Sequence, residues 1–248
     1  MRPAQNWRRF AAAFALTALF TVTACGSETP DNASSAEAAP DGIESGDKVS
    51  ADEAEKLIAV ALDAMPTVHV EMEFKSVDNG VNVNATSEGD FQRDPAAFRG
   101  EVTMDASDGK KVVVGLAAVG GTTYVKPNGA KWVNDQALSR RYTPMMPWPF
   151  TMVETTLQSA AVGGDTTLYV GQEEINGTEL ARYSFGFEEP VAGDMNKGRV
   201  NGWFDEEGRL IRLHVAVVEG DEVAIDFSQH GENLTITEPK VGKLAERG

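Results

Sequence analysis

The most regular feature of the chain is an alternation of apolar and polar residues that begins at Val68. In residues 68–75 four apolar side chains alternate with four polar ones, in the order VHVEMEFK. Alternation with a period of two is typical of an antiparallel strand that has one face in the core and one in water. Asp78-Asn79-Gly80 then provides a turn signal. Further alternating runs over residues 81–91, 98–104 and 112–116, with Tyr124 and Val125 after a Gly120-Gly121 turn, predict a meander of about four strands.

The alternation stops between residues 139 and 162 and then returns. Three prolines in six residues, at positions 144, 147 and 149, are incompatible with the interior of a sheet. Phe150, Val153 and Leu157 have helical spacing, which predicts a short helix near residues 150–160. Beyond this insert, about five more strands are predicted, around residues 168–170, 181–187, 200–204, 211–217 and 223–227, with Leu234 and Ile236 closing the set.

One amphipathic helix precedes all the strands. Ser50 followed by Glu53 fits the capping box, and Pro66 stops the helix. One helical face is apolar and carries Leu57, Ile58, Ala61, Leu62 and Met65. The predicted fold is therefore α+β: one strongly curved antiparallel sheet, a half-barrel, with helices packed on its concave apolar face.

The first 25 residues have the organisation of a bacterial lipoprotein signal. Three arginines precede a run of 15 mainly apolar residues, Phe10 to Ala24, which is too short to span a membrane as a helix. The run ends in Val-Thr-Ala-Cys, a lipobox pattern whose thiol, that of Cys25, would receive diacylglycerol. Leu is the usual residue where Val22 stands. The alternative is an ordinary secretory signal with a chance cysteine.

This organisation divides the chain into three parts. Residues 1–24 are predicted to be a cleaved signal peptide, and residues 25–49 a lipidated cysteine with an acidic tether. Residues 26–49 contain six acidic residues and only two large aliphatic ones, so the segment is expected to be disordered. Residues 50–248 are predicted to form a single domain.

Composition narrows the function by exclusion. The chain of 248 residues has 22 Lys+Arg against 38 Asp+Glu, and its formal charge of −16 disfavours nucleic-acid binding. One cysteine excludes an internal disulfide, and three scattered histidines leave little material for a metal centre. Because no hydrolase elbow or phosphate-binding loop is present, no enzymatic activity, metal or cofactor is expected.

Three passages in the folded part are residues 122–127 with 131–133, residues 170–177 with 181–183, and residues 200–205 with 208–210. Together with the lipobox, they resemble the LppX/LprG (LppX_LprAFG) family of actinobacterial lipoproteins and, more distantly, the LolA/LolB lipoprotein carriers. They match the family's Tyr-Val-Lys … Lys-Trp hairpin, its Gly-x-Glu-x-Val-x-Gly … Arg-Tyr strand pair and its Trp-Ile-Asp … Gly-Leu hairpin. Tyr124, Trp132 and Trp203 within them are predicted to be structural.

The resemblance implies a LolA-like half-barrel that encloses a hydrophobic cavity and carries acylated lipids or lipoglycans. The expected protein is anchored through Cys25 at the extracytoplasmic face of the cell membrane, and it binds or presents an acylated lipid or lipoglycan there. Envelope transport proteins, not identifiable from the sequence, are possible partners. The alternative is a non-catalytic surface interaction or sensory lipoprotein that uses the same fold without cargo.

The candidate ligand-binding residues are apolar side chains expected to face the cavity or to form its lid. The lid candidates belong to the apolar insert, where methionine suits a surface that repacks around varied cargo. Ordinary core packing is the alternative role for all of them. The set is Leu57, Ile58, Leu62, Met65, Val70, Met72, Phe74, Met104, Met145, Met146, Trp148, Phe150, Val153, Leu157 and Phe185.

Overall fold

The computed structural model of the protein describes two helices and ten strands. The described residues are 43–78, 81–105, 110–142, 150, 153–154, 167–191, 194–216 and 222–242. The helices are α1 (Ala51–Asp63) and α2 (Gln136–Tyr142). The strands are β1 (Thr67–Asp78), β2 (Val81–Gln92), β3 (Ala97–Asp105), β4 (Lys111–Val119), β5 (Thr122–Pro127), β6 (Leu168–Ile175), β7 (Thr178–Val191), β8 (Asp194–Phe204), β9 (Leu210–Ala216) and β10 (Glu222–Ser228).

All ten strands form one open antiparallel sheet, in the order β5-β4-β3-β2-β1-β10-β9-β8-β7-β6. Two meanders of five strands each meet at the central β1–β10 pair. The single antiparallel sheet predicted from the alternation is confirmed. The first meander has five strands instead of about four, and Leu234 and Ile236 lie outside the strands because β10 ends at Ser228.

Strand register places the apolar residues of neighbouring strands on one face. Val70 of β1 lies opposite Gly89 of β2 and Phe227 of β10, and Phe74 lies opposite Ala85 and Val223. Val68, Val70, Met72 and Phe74 of β1 are buried, whereas the intervening glutamates and Lys75 are exposed. We call the buried side the apolar face of the sheet and the other side its polar face.

Helix α1 begins at the predicted capping box. The Ser50 hydroxyl accepts a hydrogen bond from the Glu53 backbone N–H at 3.3 Å, and the Glu53 carboxylate accepts one from the Ser50 N–H at 3.0 Å. The Ser50 hydroxyl also donates to that carboxylate, and these bonds hold the pKa of Glu53 below its ordinary value. The buried residues of α1 belong to the same core as the apolar face: Ala54, Leu57, Ile58 and Ala61.

The segment before α1 covers the β6 edge of the sheet. Gly46 N–H donates to Tyr169 O, Tyr169 N–H donates to Asp47 O, and Val49 N–H donates to Thr167 O, at 2.8–3.0 Å. Val49 itself is buried in the core. The folded part therefore begins a few residues before the predicted boundary at Ser50, and the rest of the predicted tether lies outside the described residues.

The β5 edge is covered as well. Val125 and Val133 exchange two backbone hydrogen bonds of 2.9 Å, and Gly242 N–H donates to Trp132 O at 2.9 Å. Covered edges protect a sheet from pairing with another chain. Helix α2, which follows this covering segment, was not predicted. Its first turn is capped by the Asp135 carboxylate, which accepts from Ala137 N–H at 2.8 Å.

Replacing Ser50 with Ala should lower the free energy of unfolding by about 1 kcal/mol, because the first turn of α1 loses its cap. Glu55→Ala is the matched control, since Glu55 is an exposed residue of the same helix. It should change stability by less than about 0.5 kcal/mol. Urea unfolding monitored by circular dichroism measures both. Equal effects of the two variants would contradict the role assigned to the capping box.

Candidate functional site

The structure brings most of the predicted ligand residues into one hydrophobic core. Ten of them are buried in it, and Leu62 packs against it while partly exposed. The buried ones are Leu57, Ile58, Met65, Val70, Met72, Phe74, Met104, Phe150, Val153 and Phe185. Met145, Met146, Trp148 and Leu157 lie outside the described residues, as does Cys25. Whether the core residues bind a ligand or only pack together stays open at this point.

The insert between β5 and β6 contributes to this core. The chain leaves one edge of the sheet at Pro127 and enters the opposite edge at Leu168. Between them, Phe150 and Val153 are buried among the residues of the apolar face. Phe150, Val153 and Glu154 are helical, as predicted for this part of the insert. Phe150 and Val153 of this connection therefore pack on the apolar side of the sheet.

One half of the apolar face is filled by aromatic rings. On β6, β7 and β8 the ring of Tyr183 lies 5.4 Å from that of Tyr169 and meets Phe204 edge-on at 5.6 Å. Phe185 is 6.4 Å from Tyr183 on the same strand. Burial raises the pKa of the Tyr183 hydroxyl above its ordinary value, so this group stays neutral in the core. The aromatic rings of β6, β7 and β8 therefore pack against one another as in a protein core.

The other half of the apolar face has small side chains at its centre. Ala85, Ser87 and Gly89 succeed one another on β2, and Gly89 lies opposite Gly100 of β3. A Cβ atom on Gly89 would lie 2.8 Å from Gly100 Cα, so the two strands approach too closely there for a side chain. The aromatic cluster of β6–β8 and this patch of small residues on β2 and β3 therefore lie on different halves of the sheet. We call the patch the floor.

The two ends of this floor differ. At one end Phe91 and Phe98 stack with their ring centroids 5.7 Å apart. At the other end a row of paired residues crosses the sheet, and each member keeps 4–8% of its surface exposed: Met104, Ala85, Phe74 and Val223. The row is flanked by Val112 and Val215, which are only partly buried. Because these two valines are partly exposed, we call the row together with them the partly exposed row.

The two ends of α1 are tied to different parts of the sheet. Its N-terminal end follows the segment bonded to β6, and Val49 N–H donates to Thr167 O at 3.0 Å. At its C-terminal end, the Arg93 guanidinium donates to Leu62 O at 2.8 Å, and Arg93 N–H donates to Pro66 O. Arg93 directly follows β2, so the helix reaches from the β6 edge to the first meander.

A cluster on the polar face joins residues from two of the family-like passages. The Glu173 carboxylate accepts hydrogen bonds at 3.1 Å from both the Arg182 guanidinium and the Trp203 indole N–H. The Arg182 guanidinium also lies 5.0 Å from the Trp203 ring. Three adjacent strands are joined in this way by an ion pair, a hydrogen bond and a cation–π contact. The pattern is structural, as predicted for Trp203.

The remaining family-like passage packs on the polar face of the first meander. The Trp132 ring lies against β4 beside Gly115, where a Cβ would come within 3.1 Å of it, and 5.6 Å from the Arg99 guanidinium. The Tyr124 hydroxyl donates to the Glu238 carboxylate, and that bond raises the pKa of Tyr124. These contacts hold the C-terminal segment against the sheet, so Tyr124 and Trp132 are structural here too.

The rest of the polar face is dominated by carboxylates. Glu71, Glu88 and Glu101 lie directly opposite one another on three adjacent strands. His69 approaches Asp90 at 2.7 Å between Nδ1 and a carboxylate oxygen. Within the described ranges, no three His, Cys, Asp or Glu side chains are arranged to hold a metal ion. The same ranges contain no helix with the length and apolar character needed to cross a bilayer.

The fold and its apolar face define a class of protein: an α+β domain built on one open antiparallel sheet that buries a single face. A sequence profile of the LppX_LprAFG lipoprotein family matches residues 53–236. The chain therefore belongs to the LppX_LprAFG lipoprotein family, which confirms the resemblance found in its sequence. No curated protein sequence matches the chain.

One of the similar solved structures, that of LprF, agrees with this assignment at the level of the fold. LprF from Mycobacterium bovis is 15% identical, with a TM-score of 0.52 over 79% of this chain and 100% of that one. The lipoprotein LppX from Mycobacterium tuberculosis is 19% identical, with a TM-score of 0.49 over 74% of this chain and 99% of that one. A weaker likeness, 10% identity and a TM-score of 0.28 over 77% and 99% of the two chains, connects it to a LolA superfamily protein from Nitrosomonas europaea.

Replacing Trp203 with Ala should lower the free energy of unfolding by about 3 kcal/mol, because a buried ring and its contacts to Glu173 and Arg182 are lost. Chemical unfolding measures the effect, and the exposed residue Gln172, replaced by Ala, is the control. An unchanged free energy of unfolding in the Trp203 variant would contradict the structural role.

Proposed function

We propose that the protein is a lipid-anchored extracytoplasmic lipoprotein that holds an acyl chain against the apolar face of its sheet and carries or presents that lipid at the cell envelope. No catalytic step is part of the proposal. The observation that carries it is the uneven size of the side chains on the apolar face, with aromatic rings on β6–β8 and a patch of small residues at the centre of β2 and at Gly100 of β3. Family membership and the lipobox at Cys25 support it.

The uneven size of the side chains on the apolar face favours a ligand site on the first meander. The small residues of β2 and Gly100 have short side chains or none, whereas Met72, Val102 and Met104 beside them have longer side chains on the same face. The stacked Phe91 and Phe98 rings form an end wall. From Ala85 to Phe91 the strand extends about 20 Å. That length is on the scale of an extended long acyl chain, which would enter at the partly exposed row.

The ties of α1 support a curved sheet with the helix across it. A helix of 13 residues is about 20 Å long. Five strand spacings separate β6 from β1, and along the sheet they amount to about 24 Å. Because the helix connects these strands directly and buries its apolar residues in their core, it would lie as a chord across the concave side. Phe150 and Val153 would cover the remaining part.

Burial of methylene groups supplies the affinity in this proposal. Each buried methylene contributes about 0.8 kcal/mol, so about 15 of them contribute roughly 12 kcal/mol before costs. Loss of translational and conformational freedom removes a large share of that sum. Such contacts tolerate different chain lengths. The lid role of Met145, Met146 and Trp148 remains a prediction, because these residues lie outside the described part of the chain.

Replacing Ala85 with Trp should reduce lipid binding at least tenfold, because the large ring would occupy the floor at the partly exposed row. Thr86→Trp is the matched control: Thr86 is the next residue on the same strand, but it is exposed on the polar face. The test uses the mature chain carrying Cys25→Ser, extracted with organic solvent and analysed by mass spectrometry, together with titration of a fluorescent fatty acid. Thermal unfolding confirms that each variant is folded.

The proposed lipid binding would be wrong if the mature chain yielded no stoichiometric lipid and did not bind the fluorescent fatty acid. It would also be wrong if both tryptophan variants bound lipid equally well. Either result would leave an anchored scaffold whose interior is filled by its own side chains. That outcome favours the alternative of a surface interaction lipoprotein.

Replacing Cys25 with Ser in the full-length precursor should abolish its labelling by radioactive palmitate and shift the protein from the membrane fraction to the soluble or precursor fraction. Two acyl chains give stable anchoring, whereas the acidic body has no electrostatic attraction to anionic lipid. Ser27→Ala is the control, since it leaves the thiol in place. Unchanged labelling of the Cys25 variant would contradict the assignment.

A further inference from the structure

Two arginines approach one residue pair of the second meander on the polar face. Ser184 of β7 and Asn201 of β8 form this pair, directly opposite each other. The Arg199 guanidinium donates to the Ser184 hydroxyl at 2.8 Å, and the Arg182 guanidinium donates to the Asn201 amide oxygen at 3.3 Å. Arg182 and Arg199 each lie two residues before the pair on their own strand. Because β7 and β8 are antiparallel, the two guanidiniums reach the pair from opposite sides.

Both guanidiniums retain N–H donors that the neighbouring residues do not use. The Arg182 Nε is buried and has no hydrogen-bond partner, and it is the one buried side-chain nitrogen or oxygen of the described residues in this situation. A guanidinium has five N–H donors, and the Arg199 bond to Ser184 engages only one nitrogen. A buried donor without an acceptor is unfavourable, so a further acceptor at this pair would stabilise the cluster.

The charges of the two arginines are unequally neutralised. Glu173 forms an ion pair with Arg182 at 3.1 Å. Arg199 is exposed and forms no ion pair with a described residue. Its direct neighbours across the sheet are Gly186 of β7 and Ala216 of β9, neither of which carries a charge. A positive charge therefore stays without a counter-charge at this pair, in a chain whose formal charge is −16.

His214 adds a further donor beside the pair. It lies opposite Asn201 on β9 and is partly exposed, with Ala224 of β10 on its other side. A neutral imidazole has one N–H, and a protonated one has two. Beyond Ala216, the next residue across the sheet is Glu222 of β10. Two strand spacings, about 10 Å, separate its backbone from that of Arg199.

We propose that these side chains form a binding site for a phosphate group on the polar face of the second meander. The site consists of Arg182, Ser184, Arg199, Asn201 and His214. The Cβ atoms of a directly opposed pair are about 5 Å apart. One phosphate bridges the gap by accepting charge-assisted bonds of about 2.8 Å from Arg199 on one side and Arg182 on the other. The Asn201 amide turns aside, so that a phosphate oxygen reaches the Arg182 Nε and the adjacent terminal nitrogen.

The arrangement suits a phosphate better than a carboxylate. A carboxylate has two oxygens in one plane and pairs with a single guanidinium fork. A phosphate monoester has three terminal oxygens and a charge of about −1.5 to −2 at pH 7, so donors on opposite sides can each bond to a different oxygen. Inorganic phosphate and the phosphate monoester of a lipid head group share this chemistry. The site lies on the face opposite to the proposed lipid site, so it does not depend on the proposed function.

The first experiment follows the arginine Nε–H signals of the mature chain carrying Cys25→Ser by NMR during addition of sodium phosphate. Sodium chloride keeps the ionic strength constant, because salt alone screens surface charges. The signals of Arg182 and Arg199, identified by their loss in the variants of each residue, should shift and saturate. The assignment is overturned if they do not saturate or if chloride alone produces the same shifts.

Replacing Arg199 with Ala should weaken phosphate binding about tenfold or more, because one charge-assisted partner is lost. Lys75→Ala is the matched control: it removes the same charge from the polar face, three strands from Arg199 in the same row, where Lys75 is paired with Glu73 at 3.1 Å. It should leave the affinity within about twofold. Equal losses in the two variants would reduce the effect to net charge and overturn the site.

Arg199→Lys keeps the charge but not the planar fork, so its affinity for phosphate should lie between those of the unchanged protein and Arg199→Ala. It also serves as the test if Arg199→Ala does not fold. Thermal unfolding without phosphate should give nearly the same temperature for Arg199→Lys and the unchanged protein, since Arg199 is exposed. An affinity equal to that of the unchanged protein would contradict recognition by the guanidinium.

A second measurement distinguishes the two sources of the phosphate group. The same protein is sedimented with phosphatidylcholine vesicles that contain phosphatidic acid, a phosphate monoester, and with vesicles of phosphatidylcholine alone. Binding to the phosphatidic acid vesicles that Arg199→Ala abolishes supports a lipid head group. Saturable binding of inorganic phosphate without vesicle binding supports a soluble phosphate. The site is overturned if neither binds, or if Arg199→Ala leaves the binding of both unchanged.

Discussion

The structure depends on the burial of one face of a ten-stranded sheet. Since side chains alternate along a strand, antiparallel register places the apolar residues of every strand on that face. A sheet of this width cannot leave such a surface in water, so helix α1 and residues of the β5–β6 connection pack on it. Any space left between the first meander and these elements is therefore lined by apolar side chains. A hydrocarbon ligand would bind in such a space.

The family-like passages hold this arrangement from the outside. Glu173, Arg182 and Trp203 link three strands of the second meander on the polar face, and Trp132 and Tyr124 attach the C-terminal segment to the first. None of these side chains faces the core. The family-like passages of this chain therefore lie where they link neighbouring strands and cover the edges of the sheet.

Local patterns predicted local features well. The strict alternation of β1 and the capping box of α1 are both confirmed, because each depends on residues within one element. The covered edges could not be predicted, since they depend on hydrogen bonds between distant segments, such as Asp47 with Tyr169.

Small residues on the floor lower the stability that the core can supply, because alanine, serine and glycine bury less apolar area than leucine or phenylalanine. The aromatic half offsets this cost with the rings of Tyr169, Tyr183, Phe185 and Phe204, whose edge-on and tilted contacts add to their burial. If the proposed function is correct, stability and ligand space would be assigned to different meanders of one sheet. The first meander could then change its floor for another lipid while the second keeps the domain folded.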